Sequence, residues 1–116
     1  PLWIQWISLV LAVIGCSIVV LAILQLRNSL TAFPTPKDGS VLITNGLYKW
    51  IRHPIYTGIL LSVYGYALYS TSSSRLIISL VLTALFFIKT EYEERQLKKK
   101  YPLYTEYAER TGRFFP

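Results

Sequence analysis

Leu2 to Leu26 is a run of 25 residues without a charge. As a helix it rises about 38 Å at roughly 1.5 Å per residue, enough to cross a hydrocarbon core of about 30 Å with some tilt. Trp3 and Trp6 lie near one end, where interfacial aromatics anchor a span. Two shorter apolar runs follow, Ile55 to Tyr69 and Leu76 to Ile88. Both fall short of the roughly 20 residues a spanning helix prefers. Both can be lengthened, because Pro54 suits a first helical turn and the third run continues into KTEYEERQLKKK. The connector STSSSR is short and polar. The pattern predicts an all-α chain with three transmembrane helices, the last two a hairpin. Gly58, Ser62 and Gly65 are spaced to bring one helix face close to a neighbour.

The segment from Arg27 to Arg52 breaks this pattern. It holds Pro34, Pro36, Gly39 and Gly46, and PTPKDGS is turn chemistry. Val41 to Ile43 is a short apolar patch within it. A loop of this length is more than a helix connector, and long ordered loops are often functional. In the tail, Pro102 can open a helix, and Tyr101, Tyr104 and Tyr107 recur at spacing three with charges between. That suits a short amphipathic helix at the membrane interface.

Composition agrees with lipid as the solvent. Hydrophobic residues make up 53% and charged residues only 16%, where a soluble domain carries about a quarter charged residues. The net charge of +6 is unevenly placed: of 12 basic residues, only Arg75 lies outside the 27–53 loop and the stretch from Lys89 onward. Three spans put those two regions on one face, and the positive-inside rule makes that face cytoplasmic. All six acids fall there too. LKKKY reads as an anionic-lipid contact; nucleic-acid binding lacks any base-stacking or groove-reading module. Cys16 is the single cysteine, so no disulfide forms within the chain. The chain opens on Pro1 and not Met, so upstream sequence is expected. The first run is too long, and lacks the basic flank and cleavage site, for a signal peptide.

Two polar clusters meet at the cytoplasmic face. One is GLYKWIRHPIYTG, with the only histidine, His53; the other is KTEYEERQL. A hairpin sets the start of the second helix beside the end of the third, so His53 and Tyr56 fall near Lys89, Glu93 and Glu94. Lys89 and Glu93 are four apart and share a helix face. Ionisable groups at membrane depth are costly and usually functional. Read from spacing alone, the glutamates also suit a solvated face, His53 a helix-start hydrogen bond, and Tyr48 and Tyr56 interface aromatics. A metal site is disfavoured by ligand types and spacing. No nucleophile elbow or glycine-rich phosphate loop appears.

LITNGLYKWIRHPIYTGILL, a hydrophobic hairpin, and then EYEERQLKKKYPLYTEYAERTGRFFP together resemble the isoprenylcysteine carboxyl methyltransferase family. The resemblance covers about residues 31 to 116, and the related phospholipid N-methyltransferases share the architecture and the Glu-Glu pair. It implies an S-adenosylmethionine-dependent membrane enzyme acting on a lipophilic small molecule or prenylated peptide. It also implies that Ser40, Val41, Leu42 and Ile43 line the cofactor pocket and that Tyr48 contacts the cofactor. His53, Pro54, Ile55 and Tyr56 would form the main binding segment, and Glu93, with Glu94 as neighbour, would hold a polar group of the cofactor. The family usually has an arginine near the start of the glutamate cluster that acts on the substrate; this chain has Lys89 there, a point charge without the planar fork, as the catalytic candidate with Glu94. Further N-terminal helices are usual in the family, so the chain reads as a single methyltransferase-like domain without them.

The chemistry of the residues is compatible with that implication. Carboxylates and tyrosine faces can balance a sulfonium and an ammonium, and His53, Arg52 or backbone N–H groups can bind an anionic end. Methylating a carboxylate needs no base, since the nucleophile is already ionised. An amine acceptor must lose a proton, and Glu94 or His53 would then be the candidate base. Two further readings stand beside this one. Sterol reductases use a similar hairpin, but usually with Asn where this chain has Ile55 and an acid where it has Ile59. A non-catalytic membrane fragment is the other.

Overall fold

The computed structural model describes residues 2–26, 44 and 46–116. The expectations for Ser40, Val41, Leu42 and Ile43 lie outside the described residues. The element order is α1 (Leu2–Leu26), a 3-10 turn (Gly46–Lys49), α2 (Pro54–Tyr69), α3 (Ser73–Lys100) and α4 (Tyr104–Glu109). No strand occurs among the described residues; one isolated parallel bridge joins Ile51 and Gly112.

α1 and α3 are long and apolar enough to cross a membrane. Only 17% and 11% of the residues in their most apolar windows are buried, so neither behaves as the core helix of a soluble domain. Trp3, Trp6, Ile77, Ile78 and Ile88 are among many large apolar side chains left exposed along them. The chain is an α-helical membrane protein. α2 has 16 residues and rises about 24 Å, less than the hydrocarbon thickness of about 30 Å.

α2 packs most extensively on α1 and less on α3. Small residues set the closeness of the α1–α2 contact. A Cβ on Gly58 would stand 2.6 Å from the Gly15 carbonyl oxygen, one on Gly15 would stand 2.6 Å from that of Gly58, and one on Gly65 would stand 2.7 Å from the Ser8 carbonyl oxygen. The Ser62 hydroxyl donates back to the Gly58 carbonyl at 2.8 Å, so it carries no unsatisfied donor into the apolar contact. The closely packed face expected at Gly58, Ser62 and Gly65 is therefore the one turned to α1.

The hairpin is built as its sequence suggests. Pro54 occupies the first turn of α2. The Ser72 hydroxyl accepts from the Arg75 N–H at 3.2 Å and caps α3. Lys98, Lys99 and Lys100 fill the last turn of α3, where cations complement the helix dipole. The helices run antiparallel: the Tyr64 and Thr83 hydroxyls are 2.6 Å apart, and nearer the charged end Tyr56 and Phe86 have ring centroids at 4.7 Å. The tail departs from expectation. α4 opens at Tyr104, after a turn at Pro102, and its two tyrosines turn inward on the protein. Tyr104 and Tyr107 are buried, in T-shaped contact with centroids 5.6 Å apart.

Candidate functional site

Antiparallel register puts the first turn of α2 beside the last three turns of α3. His53 stands one residue before Pro54 and makes no side-chain cap bond. Its ring is aimed across the hairpin, with Nε2 2.7 Å from Glu94 Oε2. The same oxygen accepts from Arg52 Nε at 3.0 Å, and Arg113 Nε is 3.6 Å away. An ionised carboxylate only accepts, so His53 carries its proton on Nε2. Glu93 differs from its neighbour. Its Oε1 accepts from the Tyr56 hydroxyl at 2.6 Å, and its Oε2 lies 3.8 Å from His53 Nδ1, beyond a hydrogen bond. His53, Glu93 and Glu94 are all buried.

The two glutamates therefore have different spare capacity. Glu94 Oε2 is surrounded by donors and two guanidinium groups, which leaves Glu94 poorly suited to take a proton. Glu93 Oε2 lies 3.8 Å from His53 Nδ1, and neither atom has a hydrogen-bond partner among the described residues. Two such acceptors suit a ligand that brings N–H donors or a positive charge. Lys89 is exposed, with its ammonium 5.4 Å from the centre of the Tyr56 ring. Ile55 is half-buried and packs with Tyr48 against Ala22 of α1. The Tyr48 hydroxyl is buried and finds no hydrogen-bond partner among the described residues.

Sequence reasoning did not anticipate the contribution of the tail. Arg52 looked available for an anionic ligand, but its Nη1 donates to the Ala108 carbonyl at 2.8 Å, the Thr111 carbonyl at 2.6 Å and the Thr111 hydroxyl at 3.3 Å. With Nε on Glu94, Arg52 joins the tail to the hairpin. The Tyr107 hydroxyl donates to the Tyr48 carbonyl at 2.6 Å. The Thr57 hydroxyl reaches the His53 carbonyl at 3.1 Å and the Phe114 carbonyl at 2.9 Å.

Burial of these tyrosines has a pH consequence. Desolvation pushes the Tyr107 hydroxyl up from 10.0 to about 12, although Arg52 and Arg110 pull it down. Burial raises Tyr48, with the Tyr107 hydroxyl adding to it, and it raises Tyr104. The folded chain then holds these protons more tightly than the unfolded chain. Their stabilisation is complete below pH 10 and is lost as pH climbs towards about 12. In an alkaline titration followed by phenolate absorbance and circular dichroism, these three of the nine tyrosines should ionise only as the tail detaches. Ionisation of all nine near 10 with the fold intact would contradict this.

Lipid-facing helices that carry a buried imidazole–carboxylate cluster at their charged end define a helical membrane protein with an enzyme-like polar site. A family profile described as phospholipid methyltransferase matches residues 3–103, and the chain belongs to that family. It is similar to a "Probable protein-S-isoprenylcysteine O-methyltransferase" of Oryza sativa, at 30% identity over 118 residues, covering 98% of this chain and 62% of that protein. It is also similar to the cobalt-zinc-cadmium resistance protein CzcN of Cupriavidus metallidurans, at 27% identity over 115 residues, covering 98% of this chain and 51% of that protein. The nickel-cobalt-cadmium resistance protein NccN of Alcaligenes xylosoxydans is 27% identical over 112 residues, with 52% of its length covered. The chain thus spans about half the length of these two resistance proteins. The family profile matched is one of methyltransferases and not of reductases.

Proposed function

We propose that this chain is the catalytic part of an S-adenosylmethionine-dependent membrane methyltransferase. In this reading it spans the membrane three times, with the site facing the cytoplasm. The observation that carries the reading is the pair of uncommitted acceptors, His53 Nδ1 and Glu93 Oε2, 3.8 Å apart and buried at the charged end of lipid-facing helices. Such a pair fits the cationic end of the cofactor, and the Tyr56 ring beside it offers a π face. Ser40, Val41, Leu42, Ile43, Tyr48, Pro54 and Ile55 would complete the cofactor pocket. The bound cofactor supplies an electrophilic methyl group.

The chain's own residues do the rest. Glu94 orients His53; Glu93 and His53 Nδ1 hold positive charge; the tail covers one side and limits water. Lys89, exposed beside Tyr56, is placed to draw an acceptor's carboxylate towards the site. The leading acceptor is accordingly the carboxylate of a prenylated cysteine or a similar lipophilic acid. That acid needs no base and gains rate from alignment. A second reading, a phospholipid amine, is favoured by one observation: Glu94 on Nε2 leaves Nδ1 as a base able to remove the amine proton.

Transfer of labelled methyl from S-adenosylmethionine, offered prenylcysteine analogues and lipid amines in parallel, tests both. Ester formation that falls in Lys89→Ala supports the first reading; amine methylation indifferent to Lys89 supports the second. Transfer to neither, by a chain that also fails to bind the cofactor, refutes the function.

A further inference from the structure

Phe86, Lys89 and Glu93 follow one another at helical spacing, so one face of α3 carries all three. Each of them meets Tyr56, in the first turn of α2. The Phe86 and Tyr56 rings have centroids 4.7 Å apart. The Tyr56 hydroxyl donates to Glu93 Oε1 at 2.6 Å. The Lys89 ammonium stands 5.4 Å from the centre of the Tyr56 ring. His53 adjoins the same ring, with centroids 5.8 Å apart.

A carboxylate would be the ordinary partner for this ammonium, and Glu93 lies one turn further along α3. Lys89 nevertheless forms no ion pair among the described residues. Glu93 Oε1 is taken by the Tyr56 hydroxyl, and Oε2 lies towards His53 Nδ1 at 3.8 Å. The lysine settles on the ring instead. A phenol that donates its hydrogen bond to a carboxylate has a more electron-rich ring, which strengthens its face as a cation site.

The function proposed above brings a sulfonium to this same ring. With Phe86, His53 and Lys89 around it, the ring has little π surface left for a second cation, and two cations on one ring repel. The ammonium has to leave when the cofactor's charge arrives. Lys89 is exposed and its stem is flexible, so it can leave without any movement of α3. The carboxylate of an acceptor is the partner that would draw it off.

We propose that Lys89 is an internal competitor for the cation site on Tyr56, displaced when an acceptor's carboxylate arrives. The inference rests on the proposed function and deepens it. The chain then holds the charged donor weakly alone and more firmly beside an ionised acceptor, and by linkage the acceptor gains the same factor. S-adenosylhomocysteine lacks the sulfonium and does not contest the ring. Lys89 therefore sets the preference between charged donor and neutral product.

Calorimetry of the full chain in detergent micelles, with each of these two ligands in turn, gives the ratio of their affinities. Lys89→Gln should shift that ratio towards S-adenosylmethionine by roughly two- to fivefold, the size of an exposed cation–π contact. Lys89→Arg keeps a cation that stacks on aromatic faces and should stay near wild type. A purely structural role for Lys89 would instead change both affinities in parallel and leave the ratio alone. In a Tyr56→Leu background the contested ring is gone, so Lys89→Gln should hardly move the ratio. For the acceptor, the donor is replaced by an unreactive analogue with an ammonium in place of the sulfonium. A prenylcysteine carboxylate should tighten its binding roughly two- to fivefold. The methyl ester should not, and the gain should shrink in Lys89→Gln.

A ratio unmoved in Lys89→Gln overturns the inference. So does a shift of equal size with and without the Tyr56 ring, or an ester as effective as the acid. If Tyr56→Leu does not fold, the two lysine variants decide: a shift in the glutamine variant alone supports the inference, and an equal shift in both overturns it. Binding of neither ligand by the wild-type chain refutes the proposed function, and the inference falls with it. Binding of both with an unmoved ratio refutes the inference alone.

Discussion

Glu94→Ala should lower the stability of the folded hairpin by about 3–5 kcal/mol, the cost typical of removing one partner from a buried ion pair. The carboxylate accepts from His53 Nε2 at 2.7 Å and from Arg52 Nε at 3.0 Å, with Arg113 close behind. Without it, two guanidiniums sit together and the imidazole loses its acceptor. Arg52 also ties the Ala108 and Thr111 carbonyls to the hairpin, so the loss should spread to the tail. Thermal unfolding in detergent, followed by circular dichroism, measures the effect. Replacing Glu94 and Arg52 together by apolar residues of similar volume should recover part of the loss, because a buried pair removed whole costs less than one left half-made. Glu94→Ala within about 0.5 kcal/mol of wild type would show that the carboxylate does not hold the hairpin together.

Glu93→Gln should give the opposite result one residue away: little change in stability and a large loss of ligand affinity. A glutamine carbonyl can still accept from the Tyr56 hydroxyl, which uses Glu93 Oε1 at 2.6 Å. What disappears is the negative charge beside His53 Nδ1. A charge-assisted hydrogen bond contributes roughly 1.5–3 kcal/mol, so S-adenosylmethionine should bind about 10–150-fold more weakly. Calorimetry with the cofactor and thermal unfolding, run on the same preparation, separate the two quantities. Unchanged affinity in Glu93→Gln would remove Glu93 from the site.

The contrast between adjacent glutamates also shows where sequence reasoning stopped. The helix starts were legible because their signals are local: Pro54 opens α2, and the apolar pattern of α3 passes into charges without a helix breaker before Lys100. Once the hairpin was read, His53 had to fall beside Glu93 and Glu94, since antiparallel register follows from a short polar turn. Which glutamate faced which nitrogen was not legible, because that depends on helix rotation set by side-chain packing. The identity of α2's main neighbour was equally hidden, since Gly58 and Gly65 announce a close contact without naming Gly15 and Ser8 as its other side.

The partners of the tail's tyrosines were hidden for a related reason. Tyr104 and Tyr107 have the spacing of an interfacial stripe, and periodicity cannot tell lipid from protein as the apolar partner. Tyr107 reaches the carbonyl of Tyr48, and Arg52 reaches that of Thr111. Partners nearly 60 residues apart leave no periodic trace.

A structure of the chain with S-adenosylhomocysteine bound is the most direct measurement of the central claim. The account predicts the ligand's amino group between Glu93 and His53 Nδ1, with Glu94 still on Nε2. A nucleoside bound away from the imidazole, or Glu94 turned from His53 to hold the ligand itself, would contradict it.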